Sequence, residues 1–119
     1  MFGSLECFDV SGNALGRAGV DVLLGKSWMR HLKRLVMRNC NVCDECVLGM
    51  MQSGALDSVV SLDLGYNGIT LKGVGYIAES RFLTDLKELS LWGQGFKEDV
   101  REYLLSRPNL VSLKKVHLA

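Results

Sequence analysis

One stride, 27 residues long, runs through the chain. Leu5, Phe8, Val10, Asn13 and Leu15 make the string LxxFxVxxNxL, and Leu32, Leu35, Met37, Cys40 and Val42 repeat it as LxxLxMxxCxV after 27 positions. The string recurs as VxxLxLxxNxI at Val59, Leu62, Leu64, Asn67 and Ile69, and as LxxLxLxxQxF at Leu86, Leu89, Leu91, Gln94 and Phe96. A second apolar set keeps the same step at Leu23, Met50, Ile77 and Leu104, with Phe2, Met29, Leu56 and Leu83 just ahead of each following unit. A constant period of this size marks a repeat architecture.

Within each unit the apolar residues first alternate, two apart, as in a strand. They then fall at helical spacing, as in Val20, Leu23 and Leu24 or Val74, Ile77 and Ala78. Each unit therefore reads as strand, turn, helix. A unit one layer thick cannot cover its own apolar edge, so neighbouring units must stack and their short strands must line up as a parallel sheet.

LxxLxLxxN/C at a period inside 20–29 residues resembles the leucine-rich repeat family. The longer unit, with its segments GRAGVDVLL and KGVGYIAES, is most similar to the ribonuclease-inhibitor-like class and to bacterial proteins with that class of repeat. The likeness covers residues 2–118 and implies an α/β right-handed solenoid, a horseshoe segment with a parallel sheet on its concave side and helices on its convex side. It also implies that Asn13, Cys40, Asn67 and Gln94 point inward at the strand exit as a structural ladder satisfying backbone groups of adjacent coils. On that footing Asn13→Ala or Asn67→Ala costs about 1–3 kcal/mol.

The expected division is a single domain, 1–119, with full repeats at 2–28, 29–55, 56–82 and 83–107 and a capping fragment at 108–119. In the last segment Leu110 follows Leu86 by only 24 residues, Leu113 fits the pattern, and Lys115 falls on the next apolar slot, so the segment reads as a degraded cap. At the other end, residues 1–4 are too few to cover a strand beginning near Leu5, which leaves an open apolar edge. Either the chain is the C-terminal part of a longer repeat protein, or two copies meet there as a homodimer through the N-terminal edge strand.

Composition removes several function classes. Hydrophobic residues are 48% and charged ones 23% of the 119 residues, values of a chain that buries a core and does not stay disordered. Fourteen Lys and Arg oppose thirteen Asp and Glu for a net charge of +1, so the basic excess that drives nucleic-acid binding is missing. The opening residues MFGSLECFDV lack a basic stretch followed by an apolar one, and no apolar run approaches the ~18 residues of a membrane helix. The expected setting is cytoplasmic, without membrane contact. Cys7, Cys40, Cys43 and Cys46 fit reduced thiols, since three of them lie within seven residues and would staple little chain.

Three motifs invite chemistry and fall short of it. CxxCxxC at Cys40, Cys43 and Cys46, beside Asp44 and Glu45, has metal-like spacing, but the repeat register turns Cys40 into the stack and leaves no convergent set of four donors. GRAGV and KGVG match no phosphate-binding motif; Gly19 and Gly73 recur at the repeat period, where the turn enters a helix packed close to the sheet. His31 and His117 lie far apart and read as surface residues. No catalytic residue, metal or cofactor is expected.

Alternation sends the intervening strand residues outward. They are Cys7, Asp9 and Ser11, then Arg34, Val36 and Arg38, then Ser61, Asp63 and Gly65, then Glu88, Ser90 and Trp92, and last Ser112 and Lys114. Arg34 and Arg38 fall diagonally across from Asp9 and Asp63, in reach of lateral ion pairs that would make the face a self-satisfied charge ladder. Trp92, outward beside Gly65 and near Tyr66 at the strand exit, reads as an exposed aromatic anchor. The resulting expectation is a non-catalytic module that binds a protein or peptide on the sheet through Trp92 and Tyr66, with Arg34, Arg38, Asp63 and Glu88 setting orientation. An assembly or scaffold role through the N-terminal edge is the rival reading.

Overall fold

The computed structural model describes residues 5–118; the first-repeat position Phe2 and the short N-terminal segment 1–4 lie outside them. Five strands, β1 (Cys7–Asp9), β2 (Arg34–Val36), β3 (Ser61–Asp63), β4 (Glu88–Ser90) and β5 (Lys115–His117), each begin 27 residues after the one before. They form one parallel sheet in sequence order. Between them lie the helices α1 (Gly16–Leu24), α2 (Asp44–Ser53), α3 (Leu71–Ala78) and α4 (Glu98–Leu105), with a 3-10 turn at Ser27–His31. Trp28 sits in that turn, past the end of the helix, where its ring packs against Phe8 at 4.9 Å.

The stride converts directly into columns of side chains. Strand pairing sets Phe8 beside Leu35, Leu35 beside Leu62, Leu62 beside Leu89 and Leu89 beside Val116. Met37, Leu64, Leu91 and Leu118 form a second buried row, and Met50, Ile77 and Leu104 close the core from the helix side. Phe8 and Val10 in the first coil are only partly buried, because among the described residues they are covered from one side. Each coil thus depends on its neighbour for a dry interior.

The fifth strand corrects the sequence reading of residues 108–119. Its true register keeps the stride: Leu110, Leu113, Val116 and Leu118 are all buried. Lys115 faces outward opposite Glu88, and His117 faces outward opposite Ser90. The outward residues at this end are therefore Lys115 and His117, and Ser112 and Lys114 precede the strand. Leu110 corresponds to Leu83, the residue ahead of a unit, 27 positions earlier, and not to Leu86. Arg101 closes this end, donating from Nε to the Val116 carbonyl at 2.8 Å and pairing with Glu98.

Gly73 also plays a role other than the expected one. It lies inside α3, and a Cβ there would strike the Asp44 carboxylate of α2 and come within 2.6 Å of the Ile69 side chain. The close approach is between helix and helix, not helix and sheet. Asp44 uses that room to accept hydrogen bonds from the Thr70 backbone amide at 2.9 Å and the Thr70 hydroxyl at 2.5 Å. Thr70 in turn caps α3 by accepting from the Lys72 amide at 3.2 Å.

Candidate functional site

The turn after each strand positions the outer face. Gly12, Asn39, Tyr66 and Gly93 occupy equivalent places and all have left-handed backbones, with φ of 82, 51, 58 and 72°. Between the turn and the next helix sits the residue that ties coils together. Asn67 Nδ2 donates to the Met37, Leu64 and Gly65 carbonyls at 2.8–3.0 Å, and Oδ1 accepts from the Cys40 and Val42 amides. Gln94 bridges in the same manner, accepting from the Ile69 amide at 2.7 Å and donating to the Leu64 and Trp92 carbonyls. Cys40, buried, directs its thiol at the Val10 and Arg38 carbonyls, both at 3.3 Å. Asn13 differs: it is exposed and donates only within its own turn, to Val10 and Ser11.

On the outer face Arg34, Arg38, Asp63, Glu88, Trp92 and His117 surround an open depression of about 420 Å³. Asp63 lies at its floor, 7% exposed. One carboxylate oxygen accepts from Arg38 Nε at 2.5 Å and the other from the Gly65 amide at 3.0 Å. Asp63 is therefore committed to holding Arg38, whose side chain remains 48% exposed, and does not itself present a charge. Arg34 is exposed and, among the described residues, has no ion-pair partner. Asp9 holds its carboxyl below the usual carboxylate range through hydrogen bonds from the Ser11 hydroxyl and amide, with smaller help from Arg34 and Arg38.

Trp92 is not the bare aromatic that alternation alone suggests. It is half-buried, and His117 stacks on it with ring centroids 5.5 Å apart and planes 12° from parallel. The same imidazole reaches Glu88 through Nε2 at 2.6 Å. His117 thus joins two of the expected binding residues from the neighbouring strand. Sequence reasoning missed it because its outward placement follows only when the stride is carried through Leu113 and Val116. Beside this face the exposed aromatic is Tyr66, 54% open, whose ring lies over Gly93. Among the described residues no three of His, Cys, Asp and Glu converge as metal ligands, and no helix is long and apolar enough to cross a membrane.

An in-register parallel sheet, helices joining its strands and an amide ladder at the strand exits define a repeat protein built from α/β coils. The Leucine Rich repeat family model matches residues 58–78, the coil that carries β3 and α3. The same pattern recurs at constant stride on either side of the matched coil, which supports a leucine-rich repeat protein. No curated protein matches it.

Proposed function

We propose that the outer face of the sheet is a binding surface for a protein or peptide, and that the chain has no chemistry of its own. Leucine-rich repeat domains commonly mediate protein–protein interaction, which supplies the class of function. The reading rests on one observation, the open depression where Arg34, Arg38, the Trp92–His117 stack and Glu88 converge. Its chemistry is mixed: an aromatic stack, cations on one side and a carboxylate on the other. Such a surface suits an extended segment carrying an acidic residue for Arg34 and Arg38 and an apolar one for the stack. Tyr66 extends the contact at the strand exit. In this reading the chain is one cytoplasmic domain of ribonuclease-inhibitor-like repeats, a right-handed horseshoe segment with the face on its concave side.

The test compares wild type with Arg34→Glu and with Trp92→Ala in an unbiased pull-down. Loss of the same captured protein from both variants supports the reading, and identical capture by all three contradicts it. The rival, assembly through the first coil, is supported by β1 pairing only with β2 among the described residues and by the half-buried Phe8 and Val10. A concentration-dependent dimer in sedimentation, abolished by Phe8→Asp, is the expected result under that reading; a strict monomer excludes it.

A further inference from the structure

The repeat does not call for cysteine at positions 43 and 46. Their counterparts in the other coils are Gly16 and Gly19, Thr70 and Gly73, and Lys97 and Val100, so the repeat requires no thiol at either place. Cys40, by contrast, fills a ladder position. Nevertheless the Cys43 and Cys46 sulfurs lie 3.3 Å apart. Cys43 is the exposed N-cap residue of α2. Cys46, in the first turn, is 2% exposed and packs into the core. An accessible sulfur directly over a shielded one is the arrangement that thiol–disulfide exchange uses: the first meets the incoming disulfide and the second displaces it. The two residues between them hold the geometry, because Asp44 is bound by Thr70 and Glu45 pairs with Lys72 at 3.3 Å, fastening this turn of α2 to α3.

We propose that Cys43 and Cys46 form a site of reversible thiol oxidation, where Cys43 accepts an incoming disulfide and Cys46 resolves it to an intramolecular bond. The oxidant is a low-molecular-weight disulfide such as glutathione disulfide. The Cys43 thiolate attacks one of its sulfurs, the S–S bond breaks, and one glutathione thiolate leaves and takes up a proton. Cys46 gives its proton to solvent and attacks the Cys43 sulfur, expelling the second glutathione. Two protein thiols are oxidised to one disulfide while glutathione disulfide is reduced to two thiols. The sulfurs need only close from 3.3 Å to a bond of about 2.05 Å.

Local electrostatics favour the same division of labour. The Cys46 backbone amide, and next its thiol, lower the Cys43 pKa below that of an ordinary thiol. Burial, with the hydrogen bond to Cys43 second, raises Cys46 to about 11. Any negative charge on the reduced pair therefore resides on the accessible sulfur.

The experiment treats the full chain with glutathione disulfide, quenches in acid, alkylates the remaining thiols and maps the tryptic peptide 39–72, which holds Cys40, Cys43 and Cys46. The expected wild-type product has lost two hydrogens, carries a Cys43–Cys46 bond with Cys40 alkylated, and returns to three alkylated thiols after dithiothreitol. In Cys46→Ala, folded by circular dichroism, the reaction should stop at glutathione on Cys43. A wild-type peptide that keeps glutathione on Cys43, forms its bond to Cys40, or leaves all three thiols free would overturn the proposal. If the variant does not fold, the wild-type product alone decides. Neither result depends on whether the sheet face binds a partner.

Discussion

Asn67 makes more inter-coil hydrogen bonds than any other described side chain, and its removal strands backbone groups on two coils at once. Asn67→Ala should cost about 1–3 kcal/mol in chemical denaturation, while exposed Asn13→Ala should cost clearly less, because water can replace its two local bonds. Equal losses would contradict the ladder. Tyr66 and Gly93 form a second residue-scale pair. A Cβ on Gly93 would collide with the Tyr66 ring, and both residues have left-handed backbones. Gly93→Ala should therefore destabilise by more than the ~1 kcal/mol that left-handed alanine costs. In a Tyr66→Gly background the penalty should fall toward that value, and a double-mutant cycle with no coupling would refute the contact. The ladder was legible in the sequence because spacing alone locates it. The Trp92–His117 stack was not, since it depends on which residue of the next coil lies alongside.

Among the helices, α3 offers a contrast inside five residues. Gly73 faces Asp44 and Ile69, whereas a Cβ on Gly75 meets nothing within 4 Å. Helix propensity favours alanine at both by about 0.5–1 kcal/mol. Gly75→Ala should realise that gain, raising the thermal midpoint. Gly73→Ala should lower it, because displacing the Asp44 carboxylate also breaks its bonds to Thr70. The sequence could show that Gly73 recurs with Gly19, but not that the intruding group comes from α2, since nothing in a periodic pattern says which face of a neighbouring helix will be occupied. Asn109 is a similar case. It donates to the Ala78 and Ser80 carbonyls at 2.7 Å, finishing α3 from the next coil, and no repeat position announces it.

Across the whole molecule, 45 Å in its longest dimension, coils are linked mainly to their neighbours, so position along the stack sets the cost of a lesion. Leu62, wholly buried between Leu35 and Leu89, should cost about 2–5 kcal/mol on truncation to alanine. Phe8, half-buried in the first coil, should cost less despite its larger ring, and a reversed order in urea denaturation would argue against stacking as the source of stability. The α/β class, the parallel sheet and the strand positions of the first four coils are readable from the stride. The fifth is not, because Leu110 and Leu113 also fit a phase shifted by three residues, matched to Leu86 and Leu89. That phase decides whether His117 reaches Trp92 at all. Interstrand nuclear Overhauser contacts in solution test it most directly: unbroken register requires Leu89 beside Val116 and Ser90 beside His117. Contacts pairing Leu89 with Leu113 instead would move His117 off the face and contradict the five-coil arrangement.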